Sequence, residues 1–161
     1  MRFLLDTNLV EYGWRYRIGT EESSIATILD PPHARLARDL RALDTLFALA
    51  QRYGSREFRL APASLRELAA SPEVDADEVF AWARELAAYA APGDWRDELS
   101  SRRQAALLSD FVRPGDAVLI GEAIRLGCAE LLTCDYRLVR QRDRIKRVAG
   151  VEVMTPSTVE V

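Results

Sequence analysis

The sequence predicts an α/β fold, a parallel sheet covered by helices on both faces. Short apolar runs at 3–5, 57–60, 131–133 and 151–154 have the length of strands and are too short for helices. Longer segments with apolar residues three and four apart separate them, the alternation that parallel sheets require. Runs that stay apolar instead of alternating with polar residues suit strands buried on both faces.

The opening run, Phe3-Leu4-Leu5, is followed at once by Asp6-Thr7-Asn8. Residues 9–18 read as a helix that mixes Tyr12, Trp14 and Tyr16 with Arg15 and Arg17, and 21–29 as a second short helix closed by Pro31-Pro32. Leu36, Leu40, Leu43, Phe47 and Ala50 line one face of a longer helix, with Arg35, Arg38, Arg41 and Asp44 on others. Tyr53-Gly54 ends it as glycine commonly ends helices. After the 57–60 strand, Pro62 marks a helix start, and Ser64 with Glu67 has capping-box spacing. Residues 75–89 form a further helix with Val79, Trp82, Leu86 and Tyr89 as its buried stripe. A turn at 91–95 and a helix over 100–111 follow. Pro114-Gly115-Asp116 opens the next helix, which runs to Gly127, and 136–141 is helical after the 131–133 strand. Four strands are clear; a fifth falls at 146–148 or in a piece read here as helix.

The 161 residues fit one domain with no internal repeat or Gly/Ser-rich linker. An apolar fraction of 48% and a charged fraction of 29% fit a globule, and no stretch is long enough to span a bilayer. No secretory pattern opens the chain, and Cys128 and Cys134 supply no disulfide framework, so a cytoplasmic setting is expected. The net charge of -3 neither requires nor forbids a polyanionic substrate. Lys146 is the sole lysine, so the cations are almost all guanidinium forks suited to phosphate.

Four acids stand where chemistry is expected. Asp6 and Asp135 follow strands, Glu67 lies in the helix after the second strand, and Asp116 sits at a helix start. In open parallel sheets ligands bind at the carboxyl ends of strands, near a change in strand order. Each acid also has a structural reading: Asp6 as a turn or cap, Glu67 as the capping-box acid, Asp116 as a favourable charge at a helix N-terminus, Asp135 as an N-cap. Gathered at one edge, they would repel without a cation, and oxygen ligands suit magnesium or manganese. The single histidine, His33, cannot build a zinc cluster.

Leu4-Leu5-Asp6-Thr7-Asn8, Asp116-Ala117-Val118-Leu119-Ile120 and Leu132-Thr133-Cys134-Asp135 together resemble the PIN domain, above all the VapC-type toxin ribonucleases. The resemblance implies a three-layer sandwich on a sheet of about five strands. It implies an endoribonuclease dependent on Mg2+ or Mn2+ that leaves 5′-phosphate and 3′-hydroxyl ends. Asp6, Glu67, Asp116 and Asp135 match the family's acids, with Asp135 acting through water. Asn8 and Thr133 match neighbouring polar residues that orient ligands or water. It further implies an RNA substrate, a small antitoxin protein and a homodimer, with no membrane role. Departures are the long segment between Asn8 and Glu67, the aromatic Tyr12-Gly13-Trp14, and Gly121-Glu122-Ala123 where a small residue often follows the third acid.

Because an acidic pocket cannot hold RNA alone, arginines must border it; the candidates are Arg96, Arg102, Arg103, Arg113, Arg137 and Arg140, each of which also reads as surface charge. Tyr12, Trp14 and Tyr16 fit base stacking, core packing or a dimer contact. The chief rival function is a catalytically inactive RNA- or protein-binding module of the same fold. A phosphatase with a nucleophilic aspartate would carry a second aspartate two residues on, where Asn8 stands, and no Gly-rich phosphate loop marks a nucleotide switch.

Overall fold

The computed structural model describes residues 1–24, 34–86, 90–92 and 106–160. In chain order come β1 (Arg2–Leu5), α1 (Thr7–Arg15), α2 (Ala34–Tyr53), β2 (Glu57–Leu60), α3 (Pro62–Ala70) and α4 (Ala76–Glu85). They are followed by β3 (Ala90–Pro92), α5 (Pro114–Arg125), β4 (Glu130–Leu132), α6 (Tyr136–Val139), α7 (Arg142–Ala149) and β5 (Glu152–Met154). A 3₁₀ turn at Pro156–Thr158 closes the described chain.

The five strands form one parallel sheet in the order β3-β2-β1-β4-β5. The chain therefore winds outward from β1 through β2 to β3, then returns to β4 on the other side of β1. The strand order reverses between β1 and β4, where Leu5 is level with Leu132. Such a reversal opens a crevice at the carboxyl ends of the two strands.

Alternation along the strands divides the core. Phe3, Leu5, Phe58, Leu60 and Leu132 face a cluster with Leu9, Leu40, Phe47, Leu65 and Trp82, supplied by α1 to α4. Leu4, Leu131 and Val153 face Ala117, Ile120, Ala123, Leu138 and Ile145 from α5 to α7. Phe58 anchors the first cluster, stacked on Phe3 at 5.4 Å and meeting Phe47 edge-on at 4.8 Å. Each such fully buried side chain contributes roughly 1.5–3 kcal/mol relative to exposure. The result is an α/β/α sandwich with its sheet covered on both faces.

Several sequence expectations need correction. The fifth strand is Ala90–Pro92, which begins just past the helix read over 75–89 and runs into the turn read at 91–95. Two alanines and a proline carry no strand signal, and proline fits because β3 is an edge. Residues 146–148 lie inside α7, whose end at Gly150 adopts φ 72°, a left-handed cap. Ser64 and Glu67 form no capping box: α3 begins at Pro62 after Ala61, so both lie within the helix. Residues 21–24 are not helical, and α4 stops at Glu85 with Asp75 as its N-cap. The rest of the 21–29 helix and most of the 100–111 helix lie outside the described residues, as does His33; 106–108 are helical.

Candidate active site

Asp6 is the first residue beyond β1, and Thr133 the first beyond β4, so the two stand side by side at the crevice. The Asp6 amide donates to the Leu132 carbonyl at 2.9 Å, locking that adjacency. Asp6 is only 4% exposed and caps α1, its Oδ1 accepting from the Thr7 amide at 2.6 Å. Its Oδ2 accepts from Asn8 Nδ2 at 2.9 Å and from the Thr133 hydroxyl at 2.5 Å. Asn8 completes a bridge by accepting at Oδ1 from the Cys134 amide at 3.1 Å. The fully buried Thr133 oxygen also accepts from the Asp135 amide at 2.8 Å. One hydroxyl thus ties the first acid to the backbone that carries the last.

Asp135 caps α6 by accepting from the Arg137 amide at 2.9 Å, and the Arg137 Nε approaches the same oxygen at 3.4 Å. Asp116 lies in the first turn of α5, half-buried, with Arg113 just ahead of it. Glu67 is exposed on α3; Thr7 Oγ1 reaches its Oε2 at 3.3 Å and the Ser64 hydroxyl at 2.8 Å. Asp6 and Asp135 are therefore helix caps, as their structural readings have it, and capping is what aims these carboxylates.

The electrostatics show that the acids share one field. Burial pushes the Asp6 carboxyl up to about 6; the charges of Asp116 and Asp135 push the same way, against bonds from Thr133 and Thr7. Asp116 is raised by burial, then by Asp135 and by Glu67, while Arg113 and Arg137 pull it down. For Asp135 burial acts upward, but the bonds and charge of Arg137 outweigh it and hold the carboxyl below its ordinary range. Neighbouring acids pushed apart in this way are typical of functional sites.

Shared field is not a closed cage. Among the described residues, no three His, Cys, Asp or Glu side chains converge closely enough to hold a metal ion. The available donors are carboxylate, hydroxyl and amide oxygens, the hard set that suits magnesium or manganese. Burial first, then the charges of Asp39 and Asp6, push the Cys134 thiol well up.

Of the candidate arginines, Arg113 and Arg137 act electrostatically on Asp116. Arg140 is exposed on the turn after α6. Arg96, Arg102 and Arg103 lie outside the described residues. Tyr12, Trp14 and Tyr16 are partly buried and packed on the first core cluster. Glu122 is buried on α5. The sequence gives Thr7 and Ser64 no evident part in the site, and the fully buried Asp39 is absent from its candidates. Asp39 had a visible signal, since it falls on the apolar face of α2 between Leu36 and Leu40. A depression of about 580 Å³ around Arg17, Asp44 and Glu85 shares no residue with the acids.

No known protein family matches the sequence, and no curated protein matches it. Among solved structures, a chain of VapBC2 from Rickettsia felis, crystallised bound to a DNA fragment from its promoter, is similar to this one. The two superpose with a TM-score of 0.54 at 13% identity, over 96% of this chain and 98% of the other. At that identity the likeness is one of fold: this chain is an α/β/α PIN-like sandwich.

Proposed function

We propose that the protein is a metal-dependent endoribonuclease, the toxin of a toxin–antitoxin pair, acting as one domain over residues 1–161. The observation that carries this reading is Asp6: a carboxylate at the strand-order reversal, wired to Asn8 and Thr133 and raised first by its burial and then by Asp116 and Asp135. Asp6, Glu67 and Asp116 would hold Mg2+ or Mn2+, with Asp135 reaching it through water. When bound, such an ion activates water and offsets charge on the phosphoryl oxygens. Thr133 and Asn8 fix the Asp6 carboxylate in one orientation, which lowers the cost of bringing a ligand set together. Arg137 and Arg113 stand beside the acids and counter their repulsion of a phosphodiester. The VapBC2 likeness supports an antitoxin-type partner; a homodimer and a cytoplasmic setting belong to the same proposal. No helix among the described residues is long and apolar enough to cross a membrane.

A second reading, an inactive RNA- or protein-binding module, is favoured by one observation: no three acids converge among the described residues. Cleavage of a cellular RNA pool by metal-depleted protein, with Mg2+ or Mn2+ restored, separates the two. Discrete cuts with 5′-phosphate ends, absent with Asp6→Asn or Asp116→Asn, support the nuclease. Folded protein that binds RNA and leaves it intact establishes the binding module.

A further inference from the structure

Beside the acids lies a second concavity. It is an open depression of about 350 Å³ lined by Tyr12, Leu36, Cys134, Tyr136 and Arg137, and it shares Asn8 and Asp135 with the site above. One of its walls is held with unusual care. The Tyr136 hydroxyl donates to Asp39 Oδ2 at 2.5 Å. Asp39 is fully buried, and its other oxygen accepts from the Ser157 amide at 3.3 Å and from the Ser157 hydroxyl. The Arg35 guanidinium lies 4.0 Å from the ring centroid. A phenol anchored at its hydroxyl and capped by a cation cannot swing, so little order is lost when something packs against it.

We propose that this depression is a nucleotide subsite that takes a base of single-stranded RNA flanking the cleaved bond, with Arg137 beside its phosphate. The inference rests on the ribonuclease reading and deepens it. The chemistry favours a base over a peptide or lipid. Two phenol rings line it, Tyr136 with the Arg35 guanidinium over one face; an amide and a thiol complete the wall, and the Arg137 guanidinium stands beside them. Arg35, Arg38 and Arg41 are exposed and three residues apart on α2, so positive charge continues from the depression along the helix. This assigns to α2 the task of carrying the strand away from the acids.

The test measures affinity at fixed salt for two short single strands of equal length: a mixed-sequence oligoribonucleotide and its abasic ribose-phosphate counterpart. Cleavage-dead Asp116→Asn protein is used throughout. The intact strand is expected to bind about tenfold tighter than the abasic strand. Adding Tyr136→Ala removes most of that ratio while leaving the abasic affinity unchanged; Tyr136→Phe, which keeps the ring and loses its anchor to Asp39, restores only part of it, and Arg137→Gln weakens both strands alike. Equal binding of the two strands, or a ratio that survives Tyr136→Ala, overturns the proposal. Should Tyr136→Ala fail to fold, Arg35→Ala at an exposed position decides: a reduced ratio supports the subsite and an unchanged one refutes it. If the ratio behaves as expected and wild-type protein leaves RNA uncut, the subsite stands and the nuclease reading falls.

Discussion

Thr133 serves three polar partners with one oxygen: it donates to Asp6 and accepts from Asn8 and from the Asp135 amide. Thr133→Val keeps the shape, removes the donor and takes the acceptor from the part-buried Asp135 amide. A loss of about 10- to 100-fold in cleavage or metal affinity is expected, the usual cost of removing a group that orients a ligand. Thr133→Ser, which keeps the hydroxyl, should recover most of it; equal loss in both would mean that packing matters and the hydroxyl does not. Asp6 gives a pH signature of its own. Its folded pKa is pushed from 3.8 to about 6, so the folded protein binds more protons than the unfolded one between those values. Stability contributed by the proton is full below about 4 and is lost as pH rises through about 6. The difference is roughly 3 kcal/mol for a shift of about two pKa units. Urea unfolding in metal-free buffer should show wild type weakening across that window, and Asp6→Asn should flatten the trend.

At the scale of elements, the packing of α1 on α4 sets where Asp6 points, because Asp6 is the cap of α1. Gly13 is the contact: a Cβ there would lie 2.6 Å from Trp82 Cζ2 and 2.9 Å from Cη2. Trp82 is fully buried and its Nε1 donates to the Ile18 carbonyl at 3.1 Å, so the ring has nowhere to go. Helix propensity alone would make Gly13→Ala stabilising by about 1 kcal/mol. Overpacking costs about 1–3 kcal/mol and should win. A lowered melting temperature with reduced cleavage is the expected result, and a raised melting temperature would refute the packing argument. The same contrast explains what the sequence made legible. Strands β1, β2, β4 and β5 declare themselves because each carries apolar residues buried against one or both layers. Strand β3 is Ala-Ala-Pro and pairs through its backbone with β2, a pairing that leaves no trace in composition. Asp6, Asp116 and Asp135 were legible because they follow strands or begin helices, whereas Glu67 lies inside α3 and was legible only by its place in the helix after the second strand. The links of Thr7 to Ser64 and Asp39 to Tyr136 were not, since 57 and 97 residues separate the partners and only the fold joins them.

Across the whole molecule, the winding of the sheet brings together acids that are far apart in the chain. Asp6 and Asp135 arrive from strands on either side of the reversal, Glu67 from one helical layer and Asp116 from the other. Each raises the energy of at least one other, and Arg113 and Arg137 offset only part of that cost. A divalent cation would remove the remaining repulsion, so the protein should gain thermal stability with Mn2+ at neutral pH. The most direct test is calorimetric titration of metal-depleted protein with Mn2+, wild type beside Asp116→Asn. Asp116 is half-buried, and removing its charge relieves repulsion, so the variant should stay folded. The account predicts saturable binding by wild type and at least about tenfold weaker binding by the variant. Equal affinity in the two proteins, or no binding by folded wild type, would contradict the claim that these acids form one metal centre.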